Sequence, residues 1–404
     1  MERFRKGALA TLLGGVALGL LGLAALTVGQ GTTRAARPAS HEGALGSVHF
    51  ATTGNHSEIR TTVPMARGKW AKKRVVMSLG PGRLPSLGRG DILRTSGEVK
   101  VSNTCILFSA VSCIGVPYRF SPREDARIVL TDGRRTTGGK HATTIAGADG
   151  LRCRQRLPDR NHHCVLVFPP AATKVRDLQR LPCRPAACHV NLVLEADFPR
   201  AHRGQVVLVG ADRPDGTVRQ DGGRLNAIVL RGKVPPPKRY ETQQRVSRSV
   251  PIAPRGAAGR RAVYSQRINR LHEGDVLEVK ARHRITISSL PYNSFIGTHV
   301  ILTDGPHAVA PNARARRAIG GRGEITEANG FNCTHGPSAY RDPCVTKKAG
   351  GVQIRHRVAR HGHPVPMYVN VVVAGGAKRA MPRPSDRMRV LRGGWLRIRR
   401  YRAP

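Results

Sequence analysis

The sequence predicts an all-β protein with two tandem antiparallel β-sandwich domains of jelly-roll type, following an N-terminal hydrophobic export signal or anchor helix. Three observations lead to this fold class. One set of landmarks occurs twice, the apolar stretches are short and rich in β-branched residues, and eight cysteines accompany a hydrophobic leader. Short strands separated by glycine, proline and aspartate turns are typical of sandwiches, and disulfides are typical of exported proteins.

The duplicated landmarks occur in the same order in both copies. Gly90-Asp91 recurs 184 residues later as Gly274-Asp275, and Asp132-Gly133 recurs 172 residues later as Asp304-Gly305. Cys153 recurs as Cys333 at an offset of 180 residues, and Val190-Asn191 recurs as Val369-Asn370 at an offset of 179. Only the loop lengths differ between copies. The chain therefore contains one unit twice, and a residue essential to the fold of one copy is expected to recur in the other.

Ten apolar stretches bounded by turn residues are predicted to be strands. They are Ile128–Leu130, Cys164–Phe168, Val190–Leu194, Gln205–Val209 and Ala227–Leu230 in the first copy, and Val276–Val279, Arg284–Ile287, Val300–Leu302, Tyr368–Val373 and Trp395–Ile398 in the second. A helical apolar stripe is suggested only at Ala171–Leu181.

The N-terminus has the pattern of an export signal. Arg3, Arg5 and Lys6 precede an uncharged run that extends to Gln30. Residues 8–28 also approach the ~20 residues that a membrane-spanning helix needs, so both a cleaved signal and a retained membrane tether stay open. The positive-inside rule places the rest of the chain outside the cytoplasm, secreted or anchored to the outer face of the cytoplasmic membrane.

These patterns predict five segments. Residues 1–30 form the signal peptide or anchor, 31–70 a flexible linker, 71–232 the first sandwich, 233–258 a linker rich in proline and arginine, and 259–404 the second sandwich. Each sandwich is long enough to bury its own core.

The eight cysteines predict disulfides, because thiols oxidise in an exported protein. Cys153 is expected to pair with Cys164, and Cys333 with Cys344, since both pairs enclose ten residues. The first copy alone contains Cys105, Cys113, Cys183 and Cys188, for which local pairs, Cys105 with Cys113 and Cys183 with Cys188, are preferred among three connectivities. Histidines beside Cys164 have no counterpart beside Cys344, so no metal or cofactor is predicted.

The formal net charge is +43, with 68 basic and 25 acidic residues. Such an excess attracts polyanions without requiring sequence-specific nucleic-acid binding. Along the last predicted strand Leu396 and Ile398 alternate with arginines. The predicted binding residues are Arg392, Arg397, Arg399 and Arg400, and the predicted partner is an anionic cell-envelope polymer or an anionic lipid surface.

Four repeated aspartates are the candidate catalytic carboxylates: Asp91, Asp132, Asp275 and Asp304. Each lies beside a glycine at a strand end, where an aspartate turn is the favoured explanation. No nucleophile elbow is present, and the protein is predicted to have no enzymatic activity. The alternatives are a carbohydrate-binding module or glycoside-active enzyme that uses these aspartates, and a structural spacer without a ligand.

Overall fold

The computed structural model describes residues 46–53, 61–64, 72–105, 118–119, 126–148, 152–153, 164–195, 205–209, 223–251, 259–287, 294–321, 323–326, 344–356, 359–360, 363–364, 366–377 and 388–403. These residues belong to one compact unit that spans 42–404. They are nearly all β-strand, and every strand pair is antiparallel. No helix among them is long and apolar enough to cross a membrane. The predicted export segment, residues 1–30, lies outside the described residues.

The first half of the unit contains two main sheets. The larger has the order β1-β12-β4-β11-β2 with β9 also pairing with β4, and the smaller has the order β3-β10-β6-β7. The strands are β1 (Ser47–Thr52), β2 (Thr61–Pro64), β3 (Lys73–Leu79), β4 (Ile92–Cys105), β5 (Tyr118–Arg119), β6 (Ala126–Thr131), β7 (Ala142–Gly147), β8 (Arg152–Cys153), β9 (Cys164–Lys174), β10 (His189–Glu195), β11 (Gln205–Val209) and β12 (Gly223–Arg231). Strands β5 and β8 form a separate pair.

The second half repeats this plan with one strand fewer in the smaller sheet. Its sheets have the orders β13-β23-β16-β22-β14, with β18 on β16, and β15-β21-β17; β19 pairs with β20. The elements are β13 (Lys238–Gln243), β14 (Arg248–Val250), β15 (Gly259–Ile268), β16 (Val276–Ile287), β17 (Ser294–Thr303), α1 (Ala313–Ile319), β18 (Cys344–Gln353), β19 (Ala359–Arg360), β20 (His363–Pro364), β21 (Met367–Ala377), β22 (Met388–Val390) and β23 (Trp395–Tyr401).

Each half has its own hydrophobic core between its larger and smaller sheets. In the first half Leu93 and Val99 of the larger sheet pack with Ile128 and Leu192 of the smaller one. In the second half the core includes Leu277 and Ile398 from one sheet and Val300 and Val371 from the other. The inward positions alternate with outward ones along each strand, as the period-two geometry of a strand requires.

A buried asparagine holds the same turn in both halves. In the first half Asn191 accepts a hydrogen bond from the Ser78 hydroxyl at 2.6 Å and donates to the carbonyl of Gly133 at 2.9 Å. In the second half Asn370 accepts from Ser265 at 2.6 Å and donates to Gly305 at 3.2 Å. The recurrence of the whole network supports the duplication seen in the sequence.

Two predicted linkers are partly strands, so the predicted boundaries are wrong there. Within 31–70, β1 and β2 belong to the larger sheet of the first half. Within 233–258, β13 pairs with β23 and β14 pairs with β22. These strands lack a long apolar run, and each lies at the end of its sheet, where it has one neighbour among the described strands. The helix suggested at Ala171–Leu181 is also wrong, since strand β9 continues to Lys174. The sequence does not predict helix α1.

The two halves pack through the outer faces of their larger sheets. Val48 and Ile228 of the first half contact Val276 and Tyr401 of the second. A second apolar patch joins Val165 and Val167 to Ala349. We call this contact the junction.

Two ion pairs, one part-buried and one buried, cross the junction beside the apolar patches. Arg94 donates to both oxygens of Glu278, at 3.1 and 2.8 Å. Lys348 donates to Glu98 at 3.0 Å, and the backbone N–H of Ala349 donates to the other Glu98 oxygen at 2.8 Å. Burial raises the pKa of Glu98 and the charge of Lys348 opposes that rise. Two carboxylates are thus removed from water at the contact between the halves.

His283 lies buried behind the Lys348 ion pair. Its Nε2 atom is 3.2 Å from the Thr298 hydroxyl, and the Tyr264 ring meets the imidazole edge-on at 6.2 Å between centroids. Burial, and then the charge of Lys348, lower the pKa of His283 to about 3. The imidazole is therefore neutral in the folded protein at pH values where it is charged in the unfolded chain.

We expect this histidine to make the protein sensitive to acid. Because the folded pKa lies below the unfolded value, its contribution to stability is complete above about pH 6.5 and falls by about 1.4 kcal/mol per pH unit towards pH 3. Urea unfolding at several pH values measures this slope, and His283→Gln should lack it. Equal slopes for both proteins between pH 6 and pH 4 would contradict the assignment.

Candidate functional site

The outer face of the second half's larger sheet carries a cluster of basic side chains. Cross-strand partners share a face, and the register places Glu241, Arg397 and Lys280 in one row across β13, β23 and β16. The next rows contain Trp395 with Arg282 and Arg399 with Glu278. We call this surface the basic face; its cations are Arg239, Lys280, Arg282, Lys347, Arg397 and Arg399.

Two cations of the basic face lie over the ring of Trp395. The Arg397 guanidinium lies 4.6 Å from the indole centroid, and the Lys280 ammonium lies 5.9 Å from it. Arg397 also contacts Glu241 at 3.1 Å while its side chain stays 57% exposed. Stacking on an aromatic ring attracts a cation without removing it from solvent. These cations are therefore held in position and remain accessible to a ligand.

The basic face ends at the junction. Arg399 lies 3.5 Å from Glu278, a carboxylate already bound by Arg94. Beside them Arg94 lies 5.8 Å from the Tyr401 ring centroid, and burial, followed by the charge of Glu278, raises the pKa of Tyr401 to about 12. Arg399 is thus partly neutralised, whereas Arg282 at the other end of the face is exposed.

Arg400 is not part of this surface, so its predicted role in binding is wrong. Its side chain is only 1% exposed, and it donates to Asp275 through Nε at 2.8 Å. The guanidinium also donates to the carbonyls of Asn269 at 2.9 Å and Arg270 at 2.6 Å. The alternation along β23 explains this, because Arg400 falls on the same inward face as Leu396 and Ile398. Arg392 lies exposed in the turn before β23.

Two of the four repeated aspartates form matching turns. Asp91 accepts from the backbone N–H of Gly88 at 2.7 Å and pairs with Arg231 at 3.1 Å. Asp275 accepts from His272 N–H at 2.8 Å and pairs with Arg400. The preceding glycines, Gly90 and Gly274, have φ angles of 90° and 83°, which side chains rarely adopt.

The other two aspartates contact residues that follow them within ten positions of the chain. Asp132 accepts from Thr136 at 3.1 Å and lies 3.0 Å from His141, while Asp304 lies 2.9 Å from Arg314. The contacts of all four carboxylates are those of turn and ion-pair residues.

One of the predicted disulfides falls within the described residues and is confirmed. Cys183 and Cys188 are bonded, with their Cα atoms 5.1 Å apart. The other pairings, Cys105 with Cys113, Cys153 with Cys164 and Cys333 with Cys344, involve side chains outside the described residues and stay predictions.

Two clefts with basic linings were not predicted from the sequence. One, of about 810 Å³, lies in the first half and includes Arg83, Arg134, Arg135 and His189. The other, of about 570 Å³, lies between the halves and includes Arg83, Arg224, Glu324 and Arg355. Their residues come from separate loops and strands, so no local spacing in the sequence connects them. Lys280 and Arg282 join the predicted arginines through the strand register, which only the structure provides.

Comparisons with known proteins give no family. No protein-family model matches the chain, and no curated protein matches it. A structure of the infectious bursal disease virus Gx strain is similar at 9% identity and a TM-score of 0.23, over 89% of this chain and 76% of that one. PNGase F, a glycosylasparaginase from Flavobacterium meningosepticum, is similar at 9% identity and a TM-score of 0.18, over 88% and 97%. At these scores nothing about activity follows.

Proposed function

We propose that this chain is an exported or membrane-tethered, non-enzymatic protein of two tandem jelly-roll-like β-sandwiches that associates with an anionic cell-envelope polymer through the basic face. The observation that carries the proposal is the central cluster of Trp395, Arg397 and Lys280, in which two cations are positioned on one aromatic ring and Arg397 stays exposed. Pre-positioned cations lose less side-chain entropy when they bind an anion.

The arrangement of the charges favours an extended ligand. The cations of the basic face lie on four neighbouring strands, and adjacent strands are roughly 4.8 Å apart. A polymer with a negative charge on each repeating unit can contact several of these cations at once. Its affinity would then come from multiple weak contacts.

The disulfide between Cys183 and Cys188 supports an extracytoplasmic location, because disulfides persist in oxidising compartments. The hydrophobic run at residues 8–28 is consistent with export or with a membrane tether.

Binding of neutral glycan is the alternative function. Sugar recognition usually uses an exposed aromatic platform, yet Arg397 lies over the Trp395 ring and occupies a surface on which a sugar would stack. The turn contacts of Asp91 and Asp275 also differ from those of a catalytic carboxylate pair. These contacts favour the electrostatic function over the carbohydrate one.

A charge-removal experiment tests the proposed function. Replacing Arg239, Arg282 and Arg397 with glutamine should weaken binding to teichoic-acid-like polymer and lower the slope of log affinity against log salt by roughly 2–3, since each neutralised contact releases a counterion. The free energy of unfolding should change by about 0.5 kcal/mol or less per site. The measurement is a titration from low to molar salt.

The matched control removes the same charge elsewhere. Arg89, Arg176 and Arg180 are exposed on first-half loops, and their triple glutamine variant should bind almost as the natural chain does. Equal losses in both variants would indicate a response to net charge alone. Binding that survives molar salt and follows neutral glycan would favour the carbohydrate alternative. Binding to anionic vesicles but not to polymer would identify lipid as the partner, and no binding to any probe would favour a spacer.

A further inference from the structure

The cleft between the halves, which we call the junction cleft, is built from both of them. The first half contributes Phe50, Thr52 and Arg83, and the second contributes Glu324 and Arg355. Its volume of about 570 Å³ falls within the range of sites that hold small organic ligands. The basic face, by contrast, lies on one sheet of the second half.

Arginines supply the positive charge of the junction cleft. Arg83 and Arg355 are exposed, and Arg83 uses one Nη1 hydrogen bond, of 3.2 Å, to the carbonyl of Thr52. Arg224 is buried and donates to the carbonyls of Glu324 and Ile325 at 3.2 and 3.3 Å. Arg83 and Arg355 therefore have donors directed to solvent, and a guanidinium binds a carboxylate through two parallel hydrogen bonds.

Two lining residues of the cleft, Thr52 and Glu324, carry buried polar atoms. The Oε2 atom of Glu324 and the hydroxyl oxygen of Thr52 are buried, and neither has a hydrogen-bond partner among the described residues. The other carboxylate oxygen of Glu324 is 3.4 Å from Nδ1 of His299. Buried polar atoms are nearly always paired in folded proteins. An ionised carboxylate only accepts, so a ligand that binds it would offer a donor such as a hydroxyl.

An aromatic edge borders these polar groups. Phe50 is half-buried, and a side chain at Gly351 would approach its ring to 3.1 Å. The absence of a side chain at Gly351 thus leaves room for the ring. The cleft combines exposed cations, a buried acceptor and an apolar edge, which matches a molecule with an anionic group, hydroxyls and a carbon skeleton.

We propose that the junction cleft binds an acidic sugar unit. Its carboxylate lies between Arg83 and Arg355, its hydroxyls donate to Glu324, and its carbon face packs on Phe50. This inference goes beyond the proposed function, because it concerns recognition of one sugar unit at a different site.

The experiment is calorimetric titration of the full chain with D-glucuronate, D-glucose and acetate. Glucuronate should bind at least about tenfold more tightly than either glucose or acetate, because only glucuronate satisfies both the arginines and Glu324. Arg355→Gln should weaken glucuronate binding by about tenfold or more. Glu324→Ala should cost about tenfold for glucuronate and leave acetate unchanged, because acetate has no hydroxyl.

Two control variants make the result specific. Arg135→Gln removes the same charge from the cleft in the first half, and Arg397→Gln removes it from the basic face; both should bind glucuronate normally. Thermal unfolding checks that each variant is folded, and Arg355, being exposed, provides a test even if Glu324→Ala fails to fold. Glucuronate binding that is absent, equal to that of glucose, or unaffected by Arg355→Gln would overturn the proposal. If Arg397→Gln does not change polymer binding, the proposed function of the basic face fails, and the proposal for the junction cleft is unaffected.

Discussion

Replacing Asp275 with asparagine is expected to lower the free energy of unfolding by about 3–5 kcal/mol. The substitution keeps the side-chain shape but removes the charge that faces Arg400, and both side chains are 1% exposed. The guanidinium then stays buried with only carbonyl partners. Urea unfolding at neutral pH measures the loss.

The first half provides a matched control for this substitution. Asp91 forms the equivalent turn, but its partner Arg231 is 32% exposed and can be solvated when the carboxylate is neutralised. Asp91→Asn should therefore cost about 1–3 kcal/mol. Equal losses at the two positions, or a loss below about 1 kcal/mol for Asp275→Asn, would show that the Arg400 pair is not the buried charge pair described above.

Replacing Lys348 with methionine is expected to cost about 3–5 kcal/mol, because it removes the cation that donates to the buried Glu98 carboxylate at the junction. Both side chains are almost fully buried, at 1% and 2% exposure. Adding Glu98→Gln should recover much of the loss, since an apolar and a neutral side chain then replace an unpaired charge. The four proteins form a double-mutant cycle that chemical denaturation can measure.

A surface lysine provides the comparison for Lys348. Lys73 lies 3.4 Å from Glu195 and is 41% exposed, so Lys73→Met should change stability by about 0–1 kcal/mol. A Lys348→Met loss in this same small range, or a double variant less stable than either single one, would contradict the junction ion pair.

The sequence could predict the features that depend on local pattern. Strand β11 was predicted at its observed bounds, Gln205–Val209, and the Gly-Asp turns of both halves occur as expected, because glycine and aspartate each have a local chemical reason to be there. The Cys183–Cys188 disulfide was also predicted, since five residues of separation favour a local pair. Two stretches predicted as separate strands, Val276–Val279 and Arg284–Ile287, belong to one continuous strand, β16.

Features that depend on packing between distant strands could not be predicted. Period-two alternation puts Arg400 on the inward face, but only the fold brings Asp275 beside it. Likewise Ile228 is an apolar side chain on an outward-facing position, and the reason is visible only in the structure, where it packs against Val276 and Tyr401. The junction cleft is a product of the same contact, so its residues carried no signal in the sequence.

The position of strand β13 affects whether strands of other molecules can add to this sheet. Among the described strands it lies at the end of its sheet and pairs with β23 alone. An open sheet edge invites strands of other molecules to add to it, and charges and prolines at the edge discourage them. The β13 strand begins with Lys238 and Arg239 directly after three prolines, 235–237. The prolines and basic residues that resemble a linker thus discourage intermolecular strand addition at this edge. A fragment beginning at residue 259 would lack β13 and expose the edge of β23.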